Sequence, residues 1–296
     1  MTIKKVFLTG ANGYIGGTIA HLLVKKGYEV AGLIRKPELA AALEAQGVRA
    51  VIGSIDNATL LKKEALAADA VIHTASTADT FPIDTFIDAL KGTGKTLIHT
   101  SGSSILGKKD KGEKSGFIHT EDFPLDPVLE RVSWVGLNNH VLRSATEGIR
   151  SIVIVPTMIY GEGLGLHKES IQIPYLWKLS KEKGIGIHIE KGESIWSNVH
   201  VVDTAQLYVD VLEKATAGSL FYVENGQASF KEIAQAISKK LGKGNTAASI
   251  SMDEAVAYWG PEMANFGLGA NSRCSANKAR AMVGWQPIYN SIFEYI

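Results

Sequence analysis

The first half of the chain alternates between two hydrophobic periods. Residues 6–8, 28–34, 48–52, 70–73, 96–99 and 152–155 are short apolar runs rich in Val, Ile and Leu, the pattern of strands buried on both faces. Between them apolar positions recur at helical spacing. Ile15, Ile19, Leu22 and Leu23 carry one helix to Lys26, and further helices are expected over 37–46, 58–67, 81–90 and 131–147. Pro37 ends the second strand abruptly and suits the first turn of the helix that follows. Strands and helices in alternation predict right-handed crossovers and a doubly wound parallel sheet of the α/β class, covered on both faces. From Gly161 the pattern changes. An amphipathic helix over 170–183 sits among Gly and His loops, a return to the sheet is expected at 199–202, and a helix over 204–214 leads to a strand at 220–223.

The first strand runs into Thr9-Gly10-Ala11-Asn12-Gly13-Tyr14-Ile15-Gly16-Gly17, a turn that opens the first helix. A helix N-terminus presents unpaired N–H groups and the positive end of its dipole, and residues without side chains let a pyrophosphate approach that backbone. Gly10 is suited to the tight turn, Gly13 to the close approach and Gly16 to helix-to-strand packing. The turn is thus a dinucleotide cradle. Its spacing is GxxGxxG, different from the GxGxxG of the dehydrogenase fingerprint.

Together with Pro156-Thr157-Met158-Ile159-Tyr160-Gly161, Asn198-Val199-His200-Val201-Val202-Asp203 and the closing Val283-Gly284-Trp285-Gln286-Pro287, this turn resembles the extended short-chain dehydrogenase/reductase superfamily, also called the NAD-dependent epimerase/dehydratase family. The resemblance spans essentially the whole chain. It implies an NAD(P)-binding Rossmann domain over 1–160 and a smaller C-terminal substrate-binding cap over 161–296, with an excursion at about 198–223 back to the sheet. It also implies cofactor contacts from Gly10, Asn12, Gly13, Tyr14, Ile15 and Gly16, from Thr74 and Ala75 after the fourth strand, and from Pro156. In such folds an acid at the end of the second strand binds the ribose hydroxyls, whereas an arginine accommodates a 2′-phosphate. Here Ile34 stands near the acidic position and Arg35-Lys36 follow it, which favours NADP, with NAD as the alternative.

Members that move hydride usually carry Tyr-x-x-x-Lys on the helix after the fifth strand and a serine or threonine at that strand's end. This chain has no Tyr-x-x-x-Lys, and the helix that would hold it reads Ser133-Trp-Val-Gly-Leu-Asn-Asn-His140. Thr100-Ser101-Gly102-Ser103-Ser104 keeps hydroxyls at the strand end. Ser101 or Ser103 is therefore the candidate for holding a substrate oxygen, the alternative being that both satisfy backbone in a turn. His140 is the candidate proton donor, since imidazole titrates near neutrality. Tyr160 and His200 read as scaffold, and His119, Glu121 and His167 fall in loops near the cleft. Trp177, Trp196, Phe117, Phe123 and Tyr175 are expected either in the core of the cap or around an apolar substrate.

Composition narrows the partners. A net charge of +1 with dispersed basic residues points to neither nucleic acid nor an anionic membrane, and Lys108 to Lys114 reads as a solvated loop. The histidines lack ligand spacing, so no metal site is expected. One cysteine, Cys274, fits a reducing compartment and a small buried residue. With no apolar run of membrane-spanning length and too short an apolar run for a signal peptide, a cytoplasmic protein is expected. The reading that follows is an NADP-dependent oxidoreductase of a small or medium apolar molecule, in an atypical subgroup lacking the Tyr/Lys pair. Two alternatives stay open: a non-catalytic redox sensor, and a cofactor-retaining isomerase or cyclase. A homodimer is also left open.

Overall fold

The computed structural model describes residues 3–296. The chain begins with β1 (Lys5–Thr9), α1 (Tyr14–Lys25) and β2 (Glu29–Ile34). A single turn of 3-10 helix at Pro37–Leu39 then leads into α2 (Ala40–Glu44). Next come β3 (Val48–Ile52), α3 (Ala58–Ala67), β4 (Ala70–His73), α4 (Thr80–Leu90) and β5 (Thr96–Thr100). After a long loop, α5 (Val132–Arg143) precedes β6 (Arg150–Pro156). Each of these elements falls within a few residues of its predicted place. The helix expected over 131–147 is shorter because its ends tighten into 3-10 turns at Leu129–Arg131 and Ser144–Glu147.

The remainder comprises β7 (Met158–Tyr160), α6 (Gln172–Lys183), β8 (Ile187–Ile189), β9 (Ile195–His200), α7 (Val201–Lys214), β10 (Ser219–Val223), β11 (Gln227–Ser229), α8 (Phe230–Lys240), β12 (Ala248–Ile250), α9 (Met252–Trp259), a π-helical segment at Met263–Leu268 and α10 (Asn277–Val283). The central sheet has the order β10-β6-β5-β4-β1-β2-β3, with every neighbouring pair parallel. Strand order reverses between β1 and β4. A crevice therefore opens outside their carboxyl ends, where Thr9-Gly10 and Thr74 lie. One apolar core lies on each face of this sheet, and a third fills the cap between α6, α8 and the small strands.

The return to the sheet differs from the expected one. Residues 199–202 do not form a central strand: Val199 and His200 end β9, which pairs with β7 and β11 in a separate three-stranded sheet, and α7 starts at Val201. The strand that rejoins the central sheet is β10, alongside β6. Period alone could not separate these, because the apolar Val-His-Val-Val run suits a strand end and a helix start equally. Helix α8 begins with a capping box from Ser229 and Glu232, and α9 with one from Ser251 and Glu254. No helix among the described residues is long and apolar enough to cross a membrane.

Candidate functional site

At the switch point a cavity of about 600 Å³ opens beside the glycine turn. Gly10 adopts φ +73°, a conformation that favours glycine, and its carbonyl accepts from Gly13 N at 2.9 Å. A Cβ on Gly16 would lie 2.2 Å from that carbonyl oxygen and 2.6 Å from Thr74 Oγ1, so α1 meets the β1 turn backbone to backbone. Gly13 is the N-cap of α1, no side chain caps it, and the first turn holds no acid. The N–H groups and the positive dipole end at this terminus are thus matched to an anion.

The lining includes Gly10, Asn12, Gly13, Tyr14, Ile15, Gly16, Arg35, Thr74 and Ala75. Lys36 and Pro156 are not part of it: Lys36 is exposed before the 3-10 turn, and Pro156 is buried opposite Val223. Residues that sequence reading missed also line it. Leu33, Ser54, Ile55 and Asp56 close the end near β2 and β3, while Asp79, His167, Glu169 and Ile171 face it from the α4 N-terminus and the loop after β7. Ser54 Oγ donates to the Asp56 carboxylate at 2.7 Å, which fixes an acceptor where a base amino group could donate. The Gly53-to-Asp56 turn directly after β3 was the available signal, since β3 lies next to β2. Arg35 has no ion pair among the described residues, so its guanidinium is open to a phosphate.

The end of β5 is a different environment. Ser101 and Ser103 are buried, and neither lines the cavity. Asn138 Nδ2 of α5 donates to Ser101 Oγ at 2.9 Å, and Asn138 Oδ1 has no partner. Ser103 Oγ likewise lacks one, although its carbonyl accepts from Ser272 Oγ at 2.8 Å. Arg131, buried at the start of α5, donates to Ser104 O, packs over the rings of Trp134 and Phe266, and pairs with Glu262. His140 is elsewhere. Two residues beyond Asn138, and so about 200° around the helix, its Nε2 lies 2.8 Å from Asp84 Oδ1 of α4, with both side chains exposed. The structure brings Ser101 to Asn138 and carries His140 to the opposite side of α5.

Beneath the cavity floor are two buried histidines. Thr9 Oγ1 and His73 Nδ1 are 2.8 Å apart, and the His73 and His99 rings stack at 5.9 Å. His73 Nε2 and both His99 nitrogens have no partner. Burial holds His73 at a pKa of about 4 and His99 at about 3, so both are neutral near pH 7.

The cap is tied to the cradle through scaffold residues. Tyr14 donates its hydroxyl to Gly161 O at 2.7 Å. His200 stacks on Tyr289 and accepts from Val202 N through Nδ1, and Asp203 accepts from Ile288 N and Tyr289 N, fastening the C-terminal tail. Glu121 caps an edge of the central sheet by accepting from Tyr222 N, and His119 pairs through its backbone with Arg273. Residues 108–114 are more than a solvated loop: Asp110 accepts from Asn271 N, and Gly112 N donates to Gly269 O. Cys274 is buried, and burial pushes its thiol up, away from nucleophilic chemistry. Trp196 belongs to the cap core, Trp177 packs against it, and Phe117, Phe123 and Tyr175 are exposed. No cluster of three metal-ligating side chains occurs among the described residues.

Comparison with known proteins agrees with this geometry. The NAD(P)H-binding family matches residues 10–129. An uncharacterised protein of Schizosaccharomyces pombe is 32% identical over 97% of this chain and 96% of its own length. The oxidase ucsJ of an Acremonium species is 28% identical over 96% of this chain and 93% of its own. Among solved structures, dTDP-glucose 4,6-dehydratase of Bacillus anthracis, in complex with NAD, superposes with a TM-score of 0.76 at 18% identity, covering 99% of this chain and 93% of that one.

Proposed function

Since this chain belongs to the extended short-chain dehydrogenase/reductase, or NAD-dependent epimerase/dehydratase, superfamily, with its NAD(P)-binding oxidoreductase-type fold, we propose that it is an NADP-dependent oxidoreductase of an apolar organic substrate, working without the Tyr/Lys pair. The observation that carries the cofactor choice is Arg35, open and lining the adenosine end of the cavity, where a 2′-phosphate would reach it. When bound, the nicotinamide supplies or takes up the hydride. The cradle orients the dinucleotide through backbone donors and Asp56 accepts from the base, while Ser101, buried and held by Asn138 outside the cavity lining, is left without a role in holding substrate. His140 plays no part in this reading, because its ring is engaged with Asp84 on the outer surface.

The apolar preference rests on the mouth of the cleft. Helices of a parallel sheet run opposite to its strands, so the N-termini of α4 and α5 lie on the same side as the cavity. Phe81, Leu129 and Val132 stand exposed at those termini, and Ile171, exposed in the loop after β7, lines the cavity itself. Single exposed apolar residues are ordinary, but Ile171 on the lining, with three more at helix termini on the same side of the sheet, suits a hydrophobic ligand. A polar nucleotide sugar is disfavoured on the same ground.

The burial of Ser101 and Ser103 favours a second reading, a redox sensor that binds the dinucleotide and turns over nothing. One experiment separates the two. NADPH, NADP and NADH are titrated into the protein, and apolar aldehydes and ketones are then added to the NADPH complex while its near-ultraviolet absorbance is followed. Consumption of NADPH, with NADPH bound more tightly than NADH, supports the oxidoreductase. Unequal binding of the oxidised and reduced forms with no consumption supports the sensor and overturns the leading reading.

A further inference from the structure

We propose that His167, as an imidazolium, binds the pyrophosphate of the dinucleotide, so that the loop over 161–171 is a cationic cover whose hold on the cofactor strengthens as pH falls. The proposal rests on the cavity being the nucleotide site.

The charge inventory of the cavity leads there. Only two of its lining side chains can carry a positive charge, Arg35 and His167. Arg35 stands at the end of β2, next to Leu33 and near Asp56, and serves the adenosine end. The α1 N-terminus offers backbone N–H groups and a partial charge of about half a unit, against the two formal negative charges of a dinucleotide pyrophosphate. Among the lining side chains, His167 is the one left to supply a cation for the remainder.

Its loop is fixed over that terminus. Tyr14, the first residue of α1, donates to Gly161 O at 2.7 Å, and Thr18 Oγ1 accepts from Leu164 N at 3.1 Å. Gly165 meets Gly17 so closely that a Cβ on it would lie 2.5 Å from Gly17 Cα. Gly163 N then donates to Lys168 O at 2.9 Å, closing the turn that presents His167. Lys168 spends its charge on Glu162 at 3.7 Å and does not line the cavity, whereas His167 is exposed and has neither hydrogen bond nor ion pair among the described residues.

The charged and titratable groups around His167 are Arg35, Asp56, Asp79 and Glu169 in the cavity, Tyr14 on α1, and Glu162 and Lys168 in its own loop. Imidazole is the side chain whose charge ordinarily changes across neutrality. A protonated imidazole adds a charge-assisted hydrogen bond to a phosphate oxygen.

The test is calorimetric titration of the full chain with NADH, which lacks the titrating 2′-phosphate and whose pyrophosphate diester keeps its charge over this range. Native protein is expected to bind about five-fold more tightly at pH 6 than at pH 8. His167→Gln should bind with the same affinity at both pH values, close to the native affinity at pH 8, and His167→Arg should bind tightly at both. A native affinity independent of pH, or a pH slope that persists in His167→Gln, overturns the proposal. Gly13→Asp separates the two levels of inference. If it abolishes binding while the pH slope is indifferent to residue 167, the cavity stands as the nucleotide site and the role of His167 falls. Absence of binding of both NADH and NADPH by the native protein overturns both.

Discussion

The side-chain amide of Asn138 donates to the hydroxyl of Ser101 across 2.9 Å, joining α5 to the end of β5 inside the protein. Both residues are 2% exposed, and the amide oxygen is unpartnered. The helix face on which a Tyr/Lys pair would be sought therefore holds a neutral amide that orients a serine.

Replacing Asn138 by Ala should remove that bond and leave Ser101 buried without its donor. A loss of about 1–3 kcal/mol in urea unfolding is expected, the cost of an unmade buried hydrogen bond plus a small void. Dinucleotide affinity should stay within about three-fold of native, since Asn138 is outside the cavity lining. A collapse of binding in a folded variant would show that the amide touches the cofactor.

The last glycine of the turn's GxxGxxG and the glycine within α5 should respond in opposite directions. Gly16→Ala forces a Cβ against the Gly10 carbonyl and should cost about 3 kcal/mol or more, with loss of nucleotide binding. Gly136 is exposed in mid-helix, and a Cβ there meets nothing within 4 Å. Gly136→Ala should therefore raise stability by about 0.5–1 kcal/mol through helix propensity and leave binding unchanged. Thermal unfolding of the two variants side by side checks both signs.

Arg35→Glu should weaken NADPH on the order of 100-fold, through loss of a charge-assisted contact and gain of a repulsion, while NADH changes by no more than about three-fold. Equal losses for both nucleotides would remove the 2′-phosphate from this position.

Acid should unfold this protein early, and the sign follows from the buried histidines. Burial lowers the His73 pKa from 6.5 to about 4 and that of His99 to about 3, so below pH 6.5 the unfolded chain binds protons that the native state refuses. The stability tied to their neutral forms is complete above pH 6.5 and falls with pH by about 1.4 kcal/mol per unit for each histidine. Between pH 6.5 and 5 the pair accounts for a loss on the order of 4 kcal/mol. His99→Phe should reduce that slope by one histidine's share, about 1.4 kcal/mol per unit; an unchanged slope in urea midpoints across this range would refute the assignment.

The alternation of buried strands and amphipathic helices, and the glycine turn between β1 and α1, were legible in the sequence because they depend on local rules: side-chain period, backbone freedom at Gly10 and the N-terminal chemistry of a helix. The assignment of the turn's residues and Arg35 to one nucleotide site came from the family resemblance, and both line one cavity. Tertiary structure alone decided what faces that cavity from distant segments. Asp56 arrives in the turn after β3, the strand adjacent to β2, Asp79 on the next crossover, and His167 on a loop more than 140 residues past the turn, and no local pattern encodes those meetings. It also decided the phase of α5. Asn138 and His140 are two positions apart, and only packing against β5 determined that the amide points inward to Ser101 while the imidazole points outward to Asp84.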